Sequence, residues 1–164
     1  MKNINWREIV EIVGVVSIVG SLLLLATEVR QSNNIASATM DANLGAEYNR
    51  INFERASNAD FAKLYAKMAD PASHLITATE NEQIEGVAWT YLNIYWSAQA
   101  AHDNGLMSDG QLQGYATDLA LLLERRPALQ EHFVFFVDDI PGMSDAPVFS
   151  AVTELMAEEA SENQ

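Results

Sequence analysis

The stretch Ile12 to Thr27, IVGVVSIVGSLLLLAT, decides how this chain is organised. It carries no charge over sixteen residues, and as a helix rising 1.5 Å per residue it covers roughly 24 Å. Extended outward to Ile9 and Val29 it reaches roughly 31 Å, the thickness of a bilayer's hydrocarbon core, with Glu11 and Glu28 near the two interfaces. Trp6 stands where an interfacial aromatic anchor belongs. The expected organisation is therefore a short flank (1–8), a transmembrane helix (9–29), a helical domain (30–160) and a frayed tail (161–164).

Two other readings compete for the same stretch. A core helix of a soluble protein could be this apolar, but a chain of 164 residues offers little interior in which to hide it. A cleaved export signal is the stronger rival, because Lys2 and Arg7 precede the apolar run and Ala36-Ser37-Ala38 has the small-x-small form of a cleavage site. Against it, Glu8 and Glu11 interrupt the basic flank, and that site lies about a dozen residues beyond the apolar run, too far for the usual spacing. Orientation follows from the basic residues: Lys2 and Arg7 lie before the span and Arg30 alone follows closely, so the positive-inside rule places the N-terminus in the cytoplasm. Arg50 and Arg55 lie farther along and soften the contrast.

Beyond Arg30 the chain is strongly acidic. The formal charge is −14, while residues 1–30 hold three basic and three acidic side chains, so the whole excess lies downstream. No Lys or Arg occurs after Arg126. Such a surface repels phosphate backbones and argues against nucleic acid as a partner. Cysteine is absent, which removes disulfides, thiolate zinc sites and thiol nucleophiles together.

Helical signals continue to the end. Neither Gly nor Pro falls between Ser21 and Leu44, so the span is expected to run on into a juxtamembrane helix with Ile35, Met40, Leu44, Tyr48, Ile51 and Phe53 as a weak apolar face. Asn58 or Asp60 caps a short helix through Phe61, Leu64, Tyr65 and Met68 that ends at Asp70-Pro71. After the loop Pro71 to Ala78, Thr79 with Glu82 reads as a capping box opening a long helix to Asn104. Ile84, Val87, Ala88, Tyr91, Leu92 and Tyr95 recur at three and four residue steps and form its core face, and Gly105 closes it. Ser108 with Gln111 repeats the capping signal before Leu112, Ala116, Leu119 and Leu123. Pro127 starts a helix over Leu129 to Val137, and a last helix begins near Ser144 to Pro147, burying Val148, Phe149 and Val152. The short connections make the fold class all-α, a transmembrane helix followed by an antiparallel bundle.

Chemistry is thin. His74, His102 and His132 sit in separate segments, and no His-x-x-x-His or Glu-x-x-His pair supplies helical metal ligands. No Gly-x-Ser-x-Gly places a nucleophile and no Gly-rich loop cradles a phosphate. No catalytic residue, cofactor or metal is expected, and the chain reads as a non-enzyme. Two surfaces stand out instead. Gly14, Ser17, Ser21 and Glu28 fall within about a 60° sector of the span, where small residues let helix backbones approach. Trp89 and Trp96 share a helix face with Asn93 between them and Gln99 beyond, either as packing against Phe133, Phe135 and Phe136 or as a ligand or partner surface.

The sequence Glu28-Val29-Arg30-Gln31-Ser32-Asn33, directly after Glu8-x-x-Glu11 and the apolar run, resembles a group of uncharacterised bacterial proteins. That group shares an apolar helix ending in an (E/Q)-(V/I)-R-Q-(N/S) signature. Tyr95-Trp96, the Asp103-Asn104-Gly105-Leu106 turn with Ser108-Asp109, and the Phe-rich helix after Pro127 are similar to its C-terminal half. The resemblance implies a bacterial single-span helical protein and no particular activity. Here Glu28 and Ser32 stand where glutamine and asparagine are usual. The expected partners are the lipid bilayer and a second copy or another membrane protein. The expected location is the bacterial inner membrane, with the acidic domain periplasmic or extracellular. An exported sensor or small-ligand-binding domain with an aromatic interhelical cleft is the alternative.

Overall fold

The computed structural model describes residues 6–70 and 76–162, and these are helical throughout apart from short turns, with no strand among them. Six α-helices follow one another: α1 (Trp6–Ser57), α2 (Ala59–Lys67), α3 (Ala78–Asp103), α4 (Asp109–Arg125), α5 (Gln130–Asp139) and α6 (Ser150–Glu162). Two 3-10 turns, Pro127–Leu129 and Pro147–Phe149, lead into α5 and α6. The chain divides into two compact units, Met1–Thr39 and Met40–Gln164.

The described part of the first unit is one helical run, residues 6–39 of α1. Every residue from 6 to 35 is exposed. Its most apolar eighteen-residue window has a mean hydropathy of 2.5 and none of it is buried, so the segment is long and apolar enough to cross a membrane. The three hydroxyl side chains of the apolar run are satisfied within the helix itself. Ser17 Oγ donates to the Val13 carbonyl at 2.8 Å, Ser21 Oγ to Ser17 at 2.8 Å and Thr27 Oγ1 to Leu24 at 2.7 Å. Arg7 pairs with Glu11 at 3.3 Å one turn along, at the N-terminal end of the apolar run.

The second unit is organised around α3. This helix is apolar on most of its circumference, with Ile84, Ala88, Leu92, Ile94, Tyr95 and Ala98 all buried, and it packs against α4, α5 and both 3-10 turns. Helix α4 adds Leu112, Leu119 and Leu123, and α5 adds Phe133, Phe136 and Val137 to the same core. Val148, Phe149 and Val152 close it from the 3-10 turn and α6. From α1 come Leu44 and Ile51, with Met40 and Tyr48 packed alongside.

Capping chemistry sets the boundaries. Asn58 Oδ1 accepts from the amides of Asp60 and Phe61, each at 3.1 Å, so Asn58 rather than Asp60 caps α2. The Ser108–Gln111 capping box forms as its spacing predicts. The box of α3 does not use Thr79 and Glu82. It is Thr77 with Glu80, two residues earlier, where Glu80 also receives Lys67 Nζ at 2.6 Å. The local motif is the same in either register; the tertiary ion pair selects the first. Gly105 (φ +71°) and Gly142 (φ +84°) end α3 and the turn after α5 in the left-handed region, where a side chain would be strained.

Three further expectations need correction. Ile35 and Phe53 are 60% and 71% exposed, so the buried face of α1 is narrower than the apolar residues imply. The helix predicted from Leu129 begins as a 3-10 turn at Pro127, with α5 proper from Gln130. In the expected frayed tail, Ser161 and Glu162 belong to α6, while Asn163 and Gln164 lie outside the described residues. Most of the flank 1–8 and the loop from Pro71 are outside them too.

Candidate functional site

On the apolar run, Gly14, Ser17, Ser21 and Glu28 are all exposed, and a Cβ placed on Gly14 would meet nothing within 4 Å. Because both serine hydroxyls are spent on their own helix, the stripe offers close backbone approach and dispersion rather than hydrogen bonds across helices.

The indole pair is half out of solvent. Trp89 is 41% and Trp96 39% exposed, and each rests on a different ring. Trp89 lies 4.2 Å from the Phe136 centroid, whereas Trp96 stacks at 6.2 Å on Phe149, a partner the sequence reading did not name. Trp89 Nε1 donates to Glu85 at 3.4 Å. Phe135, 61% exposed, meets Phe136 edge-on at 5.9 Å, so Trp89 and Phe135 are two exposed rings resting on the buried Phe136. Asn93 is exposed and lines a different groove, with Met40, Asn43, Glu47 and Ser97. Gln99 is not at this surface. It is buried, accepts from the Val148 amide at 3.2 Å and donates to Asp103 at 2.9 Å, which ties α3 to the Pro147–Phe149 turn.

A second aromatic cluster lies where α1, α2, α3 and α4 converge. Tyr48 and Tyr95 both donate to Asp118 Oδ2, at 2.7 and 2.9 Å, and the hydroxyls of Tyr65 and Tyr91 share a hydrogen bond at 2.9 Å. Burial, reinforced by the negative charge of Asp118, pushes the Tyr48 and Tyr95 hydroxyls far above their ordinary range. Tyr91 is raised by burial and by its Tyr65 partner. All three remain neutral donors at any physiological pH. The cluster lines a cavity of about 320 Å³ together with Asn52, Arg55, Leu121, Leu122, Arg125 and Arg126. Sequence reading missed it because its residues come from four helices and share no spacing. That four of the chain's five tyrosines, at positions 48, 65, 91 and 95, meet here was the one available signal.

His102 ends α3, its Nε2 2.8 Å from Asp109 and its Nδ1 3.4 Å from Asp103. Those two carboxylates, Asp109 foremost, raise its pKa above the ordinary histidine value. His74 lies outside the described residues, and His132 is half-buried in α5. No group of three or more His, Asp or Glu side chains suited to a metal ion occurs among the described residues. Compared with models of protein families, with curated proteins and with solved structures, the chain finds no match.

Proposed function

We propose that this protein is a membrane-anchored helical interaction module, self-associating or serving as an accessory subunit of a membrane assembly. One observation carries the reading: residues 6–35 form an unbroken helix, apolar across its middle and exposed along its whole length, while the core of the second unit is complete without it. Exposed apolar surface on this scale is costly in water and is matched by lipid. The short helices of residues 40–162, read as an antiparallel bundle, supply an acidic soluble head.

The location proposed is the bacterial inner membrane, single-pass, with the N-terminus cytoplasmic and the acidic head on the far side. Lys2 and Arg7 favour retention of the N-terminal flank against the membrane potential. The Gly14, Ser17, Ser21 stripe is the helix–helix contact, and the exposed Trp89 and Phe135 rings, seated on Phe136, are a contact face of the head. No reaction is assigned.

The test is the state of the detergent-solubilised protein. Light scattering across a hundredfold concentration range, joined to crosslinking in native membranes, should give a defined oligomer or a recurrent membrane partner. A concentration-independent monomer without crosslinked partner contradicts the reading. A fusion of alkaline phosphatase after Gln164 should be active and a cytosolic fluorescent protein at the same place dark; the reverse overturns the orientation.

A further inference from the structure

From residue 40 onward the chain holds six basic side chains: Arg50, Arg55, Lys63, Lys67, Arg125 and Arg126. Arg50 pairs with Glu47, Lys63 with Asp60 and Lys67 with Glu80. The other three, Arg55, Arg125 and Arg126, have no carboxylate within 4.0 Å among the described residues, although acidic groups outnumber basic ones throughout this unit. All three line the same cavity, beside the Tyr48, Tyr91 and Tyr95 hydroxyls and Asn52.

Arg55 and Arg125 are exposed and Arg126 is half-buried; unpaired cations gathered around one cavity of an acidic domain repel one another, and an anion held between them relieves that repulsion. Among the described residues the cavity's one carboxylate, Asp118, has its Oδ2 engaged by two tyrosine hydroxyls and forms no ion pair with the arginines. Three guanidinium groups against one carboxylate leave two formal positive charges. The guanidinium carbons of Arg126 and Arg55 lie 4.5 and 5.1 Å from the Tyr65 ring centroid. A cation over a ring spends none of its N–H donors, so these contacts fix the side chains while leaving donors to spare. Arg126 Nη1 donates to the Arg125 carbonyl, but its Nε is enclosed and has no hydrogen-bond partner. Enclosed charged donors without partners are rare because they cost stability. At about 320 Å³ the cavity is at the lower end of ligand-site sizes. Repulsion from the rest of the acidic surface is screened beyond about 8 Å at physiological salt.

We infer that the Arg55, Arg125, Arg126 and tyrosine cavity binds a phosphate-class dianion, a phosphate monoester or inorganic phosphate. A dianion matches the residual charge, and guanidinium forks hold tetrahedral oxyanions by paired, charge-assisted hydrogen bonds. Of the Tyr65 and Tyr91 hydroxyls, the one that accepts in their shared bond keeps its own proton as a further donor. The chemistry is shared by a soluble phosphate and by the headgroup of phosphatidic acid, and the two can be told apart by experiment.

Full-length protein in a neutral detergent is titrated calorimetrically at constant ionic strength with sodium phosphate, with dihexanoyl phosphatidic acid and with sodium chloride. Saturable binding of one equivalent of phosphate supports a soluble ligand, and saturation by the short-chain lipid alone supports a headgroup. R126Q and R55Q should each weaken binding by about tenfold or more, while R50Q, whose cation is already paired, should stay within about twofold. Near-UV circular dichroism checks that each variant is folded. R125Q, at an exposed side chain, decides the matter if the other two are not, and it too should weaken binding. Heats that match chloride for both probes overturn the site, as does R50Q weakening binding as much as folded R126Q or R125Q.

Discussion

Gln99 shows at the residue scale what one buried polar side chain holds together. Its side-chain carbonyl accepts from the buried Val148 amide of the Pro147–Phe149 turn. Q99L therefore leaves that amide buried without a partner, and urea unfolding should show a loss of about 1–3 kcal/mol. Glu80 supplies a pH-dependent counterpart. Lys67 and the Thr77 cap hold its carboxyl down at about 2, from an ordinary 4.5. A depressed carboxylate contributes stability that is present above pH 4.5 and lost as pH falls through about 2. The melting temperature of the wild type should thus approach that of E80Q as pH drops across this window. His102 has the opposite sign. Raised above 6.5 by Asp109 and Asp103, it stabilises fully below pH 6.5 and loses that contribution as pH rises through its folded value, a trend that D109N should flatten in thermal melts. The long-range partners could not be read from spacing alone: Lys67 and Glu80 meet across a loop, and Gln99 and Val148 are 49 positions apart.

Helices are the scale at which the sequence was most legible. Apolar periodicity and capping signals located the α3 core stripe and the start of α4, because those are local properties of the chain. The two-residue error at the start of α3 arose because Thr77-x-x-Glu80 and Thr79-x-x-Glu82 are equally good boxes in isolation. Phe53 misled for a related reason: a helix face is defined by what packs on it, and nothing covers that position. The candidate site was the least legible part. The Trp89 and Trp96 face was correctly placed on one helix, but Gln99 was assigned to a surface when it points into the core, and the arginine cavity was invisible. At this scale Phe136 is the joint between core and surface, buried beneath Trp89 and Phe135. F136A should destabilise the head by about 3–5 kcal/mol in urea titrations. On the apolar run, replacing Gly14 and Ser17 together by isoleucine should shift the light-scattering mass toward monomer, with membrane retention unchanged.

At the scale of the whole molecule, the chain puts its hydrophobic residues to two uses. Most of those in residues 40–162 face one another, and those of the apolar run in α1 face outward. The acidic excess lies wholly beyond Arg30, so the apolar run is flanked by a nearly neutral end and a strongly negative one. Membrane anchoring is the claim on which the functional reading depends. Its most direct measurement is flotation of sodium-carbonate-washed cell membranes on a density gradient, followed by immunodetection of an epitope after Gln164. The account predicts that the full-length protein floats with the lipid. Recovery in the carbonate supernatant, or as a soluble product shortened to begin near Thr39, would contradict it.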